Sequence, residues 1–122
     1  GVFAPAASCL LPFRVNQTAA EDLLFSGRSL NADEANTAGL VHSVTDDAEA
    51  AALAYFDQHL APKSAASLGF AVRAAREGML PEVKRRIAAV EKLYLEGLMT
   101  TRDANEGLNA FIAKRQPVWE HV

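Results

Sequence analysis

Apolar side chains recur three and four positions apart along most of this chain, between punctuating Gly, Pro, Asn and Asp, and that period predicts helices rather than strands. Pro5 to about Phe13 reads as a short buried helix, because a proline in a first turn gives up no bonded amide; Pro12 weakens its far end. Thr18-Ala19-Ala20-Glu21 fits a capping box, and Gly27 stops a helix near 17–26 that carries Leu23, Leu24 and Phe25. Asn31-Ala32-Asp33-Glu34 repeats the device for a shorter helix ending at Gly39, after which Leu40 to Val44 is expected to run as a short extended segment.

From Asp46-Asp47, whose carboxylates suit a helix N-terminus, Leu53, Phe56 and Leu60 form a stripe that Pro62 closes. Ser64 caps the next helix, with Leu68, Val72, Ala75 and Met79 on one face and Gly78 with Pro81 as its stop. The longest helix is expected over about 82–99, with Val83, Ile87, Val90 and Tyr94 as its buried stripe. Thr100 and Asp103 fit a final capping box, and Ala104, Leu108 and Phe111 continue as a stripe until Lys114-Arg115-Gln116-Pro117. The fold class is therefore mainly α. Phe70, Leu93, Leu95, Leu98 and Ile112 fall off these stripes. Large bare apolar patches are uncommon on soluble monomers, so these positions imply another subunit, further chain, or cover by loops of this same chain.

At 122 residues and 50% hydrophobic content, the chain amounts to one domain at most, with a modest core. A net charge of −3 and an isoelectric point near 5.6 argue against a nucleic-acid partner, since such domains are strongly basic. The charge is uneven. Residues 1–62 hold two bases and eight acids, residues 63–122 ten bases and seven acids, so an anion would settle on the second half. The single Cys9 excludes an intramolecular disulfide and there is no CxxC pair, which makes a reducing compartment, the cytoplasm, the expected location. No apolar run reaches membrane-spanning length, and no membrane role is expected. The opening Gly1–Leu11 is apolar but lacks the basic start of a signal peptide, and reads as the interior of a longer chain.

Little in the sequence carries chemistry. None of His42, His59 and His121 has a second ligand at helical spacing, so no metal site is expected. Cys9 has no base beside it in sequence and is assigned to packing. GxGxxG, GxxxxGK[ST] and GxSxG are all absent. The pairs Glu21-Asp22, Asp33-Glu34 and Asp46-Asp47 fall in first turns, where they complement the helix dipole. Lys84-Arg85-Arg86 reads as a solvated helical face before it reads as a phosphate or partner site. Phe111 and Lys114, three apart, set an aromatic plate beside an ammonium. Such a pair suits an adenine or pantetheine chain with a phosphate, but it is also common on amphipathic helices.

Two separated segments nevertheless resemble one family. Ser26-Gly27-Arg28-Ser29-Leu30-Asn31-Ala32-Asp33-Glu34-Ala35, followed by Gly39-Leu40-Val41 and Val44, resembles the T/S-G-R, A-x-E-A and G-L-V-x-x-V run of the crotonase superfamily of acyl-CoA hydratases and isomerases. The stretch Asn105 to Trp119 is similar to that family's closing E-G-x-x-A-F-x-x-K-R-x-P-x-W. Gly1 to Pro12 further resembles the cyclohexa-1,5-diene-1-carbonyl-CoA hydratases of anaerobic aromatic degradation; most crotonases have P-x-A-G-G where this chain has Ala4-Pro5-Ala6-Ala7-Ser8.

The resemblance implies the C-terminal helical portion and trimerisation module of the crotonase fold, from a chain roughly twice as long, with the N-terminal spiral core absent. Residues 1–44 would be the end of that core, short helices and a short strand, and 45–122 the helical oligomerisation module. The family's oxyanion-hole donors and paired glutamates would precede Gly1, so no catalytic residue is assigned and the chain alone is expected to be inactive. Val2, Phe3, Ala4 and Pro5 would border the acyl group. Phe111 would pack along coenzyme A and Lys114 would meet its phosphate. The implied partners are an acyl-CoA thioester, with no covalently bound cofactor, and either the N-terminal half or further copies in a trimer or hexamer. Isomerisation or ring hydrolysis within the superfamily, and a stand-alone helical oligomerisation or partner-binding module, stay open as alternatives.

Overall fold

Every regular element is helical in the computed structural model, which describes residues 1–122. In chain order these are α1 (Pro5–Leu10), α2 (Gln17–Ser26), α3 (Ala32–Thr37), α4 (Ala48–Tyr55), α5 (Ala65–Arg76), α6 (Met79–Lys92) and α7 (Arg102–Ile112). A 3-10 turn, Leu11–Phe13, prolongs α1, and a π-helical turn, Phe56–Leu60, prolongs α4. Helix α6 runs on through a π-helical turn, Leu93–Gly97, and a 3-10 turn, Leu98–Thr100. No helix is long and apolar enough to cross a membrane.

The capping chemistry sets most boundaries, with three corrections. Asn31 and Glu34 form the expected reciprocal box, each bond 2.9 Å, and Ser64 caps α5 as expected. Helix α2, however, is capped by Asn16, whose Oδ1 accepts from the Ala19 N–H at 2.9 Å. Asn16 has the extended backbone a cap needs, whereas Thr18 already lies inside the helix. Thr101 rather than Thr100 caps α7, accepting from the Ala104 N–H at 3.1 Å, so Asp103 is released for another task. Pro81 opens α6 instead of closing α5: it sits in the first turn, whose amides have no intrahelical acceptor, and the helix begins at Met79.

The extended segment expected at 40–44 forms no strand. Gly39 takes φ +76°, the Leu40 N–H returns to the Ala35 carbonyl at 2.9 Å, and the following residues bend through solvent with no neighbouring strand to pair with.

Helix α1 lies on α6, continuing into an edge-to-face contact of Phe3 and Tyr94 with ring centres 5.4 Å apart. Arg86 stands over the Phe13 ring at 5.5 Å and ties α6 to the turn after α1. The α6 stripe of Val83, Ile87, Val90 and Tyr94 is the half-buried one, as its spacing predicts. On α7 the covered face is Ala104, Gly107 and Ala110, one position off the expected stripe, and Phe111 points outward. Close approach decides this: Gly1 lies so near Gly107 that a methyl group on Gly107 would sit 3.0 Å from the Gly1 Cα and N.

The expected core is not closed. Only six residues are buried, Cys9, Val15, Ala20, Ala35, Ala104 and Ala110, so no large aliphatic or aromatic side chain is fully covered. Cys9 is a buried free thiol, in keeping with packing. Accessible surface is 9264 Å², against about 6,400 Å² for a compact monomer of this mass, an excess of about 2,900 Å². Phe25, Phe70, Leu93, Leu95 and Ile112 are all more than 60% exposed. Helix α5 packs on no other element to any extent, so α4 and α5 stand out as an arm.

Candidate functional site

An open, mainly apolar recess of about 560 Å³ lies where the chain enters α1. Val2, Phe3, Ala4 and Ala7 form one wall, Leu11, Leu23 and Leu24 a second, and Gly27 to Leu30 with Ala35 and Leu40 complete the rim. Three of the four residues expected to border an acyl group, Val2, Phe3 and Ala4, therefore share this recess; Pro5, half-buried as the first residue of α1, does not line it. The leucines of α2, Leu30 and Leu40 went unforeseen as lining, because their place depends on how α2 and α3 fold back on α1.

Arg28 is the one charged lining residue. Its Nε donates to Asp22 at 2.8 Å and its Nη1 to Glu34 at 3.4 Å, so it bridges α2 to the start of α3. Among the lining residues there is no Asp, Glu or His. The recess can exclude water and shape an apolar ligand, but it offers no carboxylate or imidazole to move a proton.

Phe111 and Lys114 lie elsewhere, at the end of α7, and neither lines the recess. Phe111 is 83% exposed and free to stack. Lys114 has φ +52°, a left-handed turn that costs an L-residue about 1–2 kcal/mol. The Arg115 N–H closes that turn on the Ala110 carbonyl at 3.0 Å. Lys114 forms no ion pair, whereas Arg85 and Arg86 are both engaged by Glu82 at 2.7 Å. Hydrogen bonds from Arg85 and then Arg86 bring the Glu82 carboxyl down to about 2. Arg85 and Arg86 thus share one carboxylate on their own helix face, whereas Lys114 is a cation with no carboxylate partner and is available to an anion.

The tail after α7 is held by acids of that helix. Glu106 accepts from Arg115 Nη2 at 2.7 Å and from the Val118 N–H at 2.9 Å. Asp103 accepts from the N–H groups of Glu120 and His121 at 2.8 and 2.9 Å. The Arg115 hydrogen bond, then that of Val118, brings the Glu106 carboxyl down to about 2. Trp119 is thereby laid across Gly1 and Gly107. No group of His, Cys, Asp and Glu side chains gathers in a metal-binding cluster.

The enoyl-CoA hydratase/isomerase family profile matches residues 1–122, and the chain belongs to that family. It is 57% identical over 121 residues to the cyclohexa-1,5-dienecarbonyl-CoA hydratase of Thauera aromatica, covering 99% of this chain and 47% of that protein. It is 31% identical to the putative enoyl-CoA hydratase/isomerase YngF of Bacillus subtilis, covering 92% and 43%. A carnitinyl-CoA dehydratase from Mycobacterium avium superposes with a TM-score of 0.75 at 26% identity, over all of this chain and 49% of that one. The chain thus spans less than half the length of these relatives.

Proposed function

We infer that this chain is the C-terminal, subunit-contacting portion of an acyl-CoA hydro-lyase that adds water to a cyclic dienoyl-CoA. The observation carrying this reading is the 57% identity maintained over 99% of the chain with the Thauera hydratase. In it, Val2, Phe3 and Ala4, with Pro5 behind them, supply an apolar wall for the acyl group. Phe111 and Lys114 grip the coenzyme A moiety by stacking and by charge. The carboxylates and amide donors for hydration come from sequence outside these 122 residues, so the chain alone turns nothing over. The recess free of acids and histidine supports that division of labour.

Phe70, Leu93 and Leu95 would be covered by neighbouring copies in a trimer or hexamer, or by the N-terminal half. The surface excess is of the size obligate interfaces bury. Isomerisation keeps a place as a second reading because the family profile spans both reactions. The test is an assay on the complete polypeptide and on the 122-residue chain with a cyclic dienoyl-CoA and a linear enoyl-CoA, following conjugated absorbance. Turnover by the complete polypeptide only, with preference for the cyclic ester, is expected. Turnover by the short chain, or indifference of the complete polypeptide to both esters, would overturn the reading.

A further inference from the structure

We propose that Glu106 and Arg115 are positioning residues that aim the Lys114 ammonium, giving the complete enzyme its grip on the phosphorylated end of its thioester substrate. This rests on the reading of Lys114 as a coenzyme A contact and extends it to two residues that touch no ligand themselves. Lys114 follows the last turn of α7 in a left-handed conformation that a lysine does not favour. Something outside the residue must hold it there. Arg115, its neighbour just beyond α7, is clamped by both oxygens of Glu106, nine residues back on that helix, and its Nη1 also donates to the Gln116 carbonyl at 3.1 Å. Glu106 Oε1 further accepts from the Val118 N–H at 2.9 Å. The carboxylate thus fastens the chain on the far side of Lys114, while the Arg115 N–H fastens it to Ala110. Lys114 itself contributes only its backbone, and its ammonium is left to solvent. With its carboxyl held at about 2, Glu106 stays ionised throughout the neutral range and the clamp is permanent there.

The sign of the effect separates aiming from simple electrostatics. Glu106→Gln removes a negative charge near the phosphate site, which by Coulomb attraction alone would tighten an anion. Loss of aim weakens it. In the complete enzyme, Glu106→Gln is therefore expected to raise KM for the CoA thioester ~5-fold with kcat nearly unchanged, as loss of a remote binding contact does. The same acyl group on pantetheine, which lacks the adenosine phosphates, should show no change. Arg115→Lys keeps the cation but loses the two-pronged grip, and should move KM in the same direction. Lys114→Ala should raise KM by itself, and adding Glu106→Gln to it should do no further harm, because both act through one contact. A Lys114→Ala enzyme with unchanged KM would defeat the reading of Lys114 and this proposal with it. A Lys114 effect with KM lowered, unmoved, or raised equally for the pantetheine ester in Glu106→Gln would defeat the aiming role alone. Should Glu106→Gln not fold, Arg115→Lys decides by the same ratio of the two esters.

Discussion

Helices α6 and α7 with the chain start, and the arm of α4 and α5, are made of similar residues and have opposite surroundings. Around α7 the chain is tied down at both ends: Gly1 abuts Gly107, Trp119 covers both, and Asp103 and Glu106 hold the tail by its backbone N–H groups. On the arm, Leu53, Phe56 and Phe70 are 51 to 67% exposed, and the nearest contacts are local, such as Arg73 over Phe70 at 4.3 Å and the His42, Tyr55 and His59 rings 4.8 to 5.1 Å apart. Amphipathic pattern forms a helix in both places, but it fixes a tertiary position only where the apolar face meets another surface.

The strongest challenge to this contrast pairs two phenylalanines. Phe3→Ala removes a ring packed on Tyr94 and is expected to destabilise the monomeric chain by about 3 kcal/mol in urea denaturation, whereas Phe70→Ala should cost no more than about 0.5 kcal/mol. Equal losses would abolish the distinction. In the assembled protein, Phe70→Ala should instead weaken association, seen as a lower sedimentation coefficient at the same concentration.

One substitution made twice sharpens the contrast with opposite signs. Gly107→Ala forces a methyl against the Gly1 backbone at 3.0 Å and should destabilise by about 2 kcal/mol, more than its helical gain returns. Gly69→Ala on α5 meets nothing within 4 Å and should stabilise by about 0.8 kcal/mol, a rise in melting temperature.

Acid should loosen the tied region first at the tail. Glu106 has its folded pKa lowered from 4.5 to about 2, so its contribution is full above about 4.5 and disappears as pH falls toward 2. Trp119 is the single tryptophan and reports the event directly. Its emission should shift to the red across that window and lose this step in Glu106→Gln; a step that survives the substitution would assign it to another acid. The smallest effect is expected at Arg102, whose pair with Glu120 at 3.0 Å is exposed on both sides. Arg102→Ala should change stability by under about 0.5 kcal/mol, and a larger loss would make that pair part of the tail's anchorage.

Local signals were readable residue by residue. The Asn31 box, the Ser64 cap, the α6 stripe and the surplus faces at Phe70, Leu93, Leu95 and Ile112 all stand in the structure as their spacing implies. Leu98 was counted among the surplus but is half-buried before α7. The caps at Asn16 and Thr101 were missed because neighbouring polar residues compete for the same amides, and spacing alone does not rank them. Of the candidate site, Val2, Phe3 and Ala4 come together in the recess, while Phe111 and Lys114 stand apart from it.

The amino-acid order by itself determined the helical character, most helix ends and the membership motifs, because caps, breakers and periodicity act over three or four residues. Only the tertiary structure decided that α7 buries its small-residue face, that Asp103 serves the tail rather than a capping box and Glu106 holds the tail with it, and that the leucines of α2 line a recess. Those outcomes depend on contacts between residues as far apart as Gly1 and Trp119, and no local pattern encodes which distant backbone will approach closely enough to need a glycine or to offer an N–H.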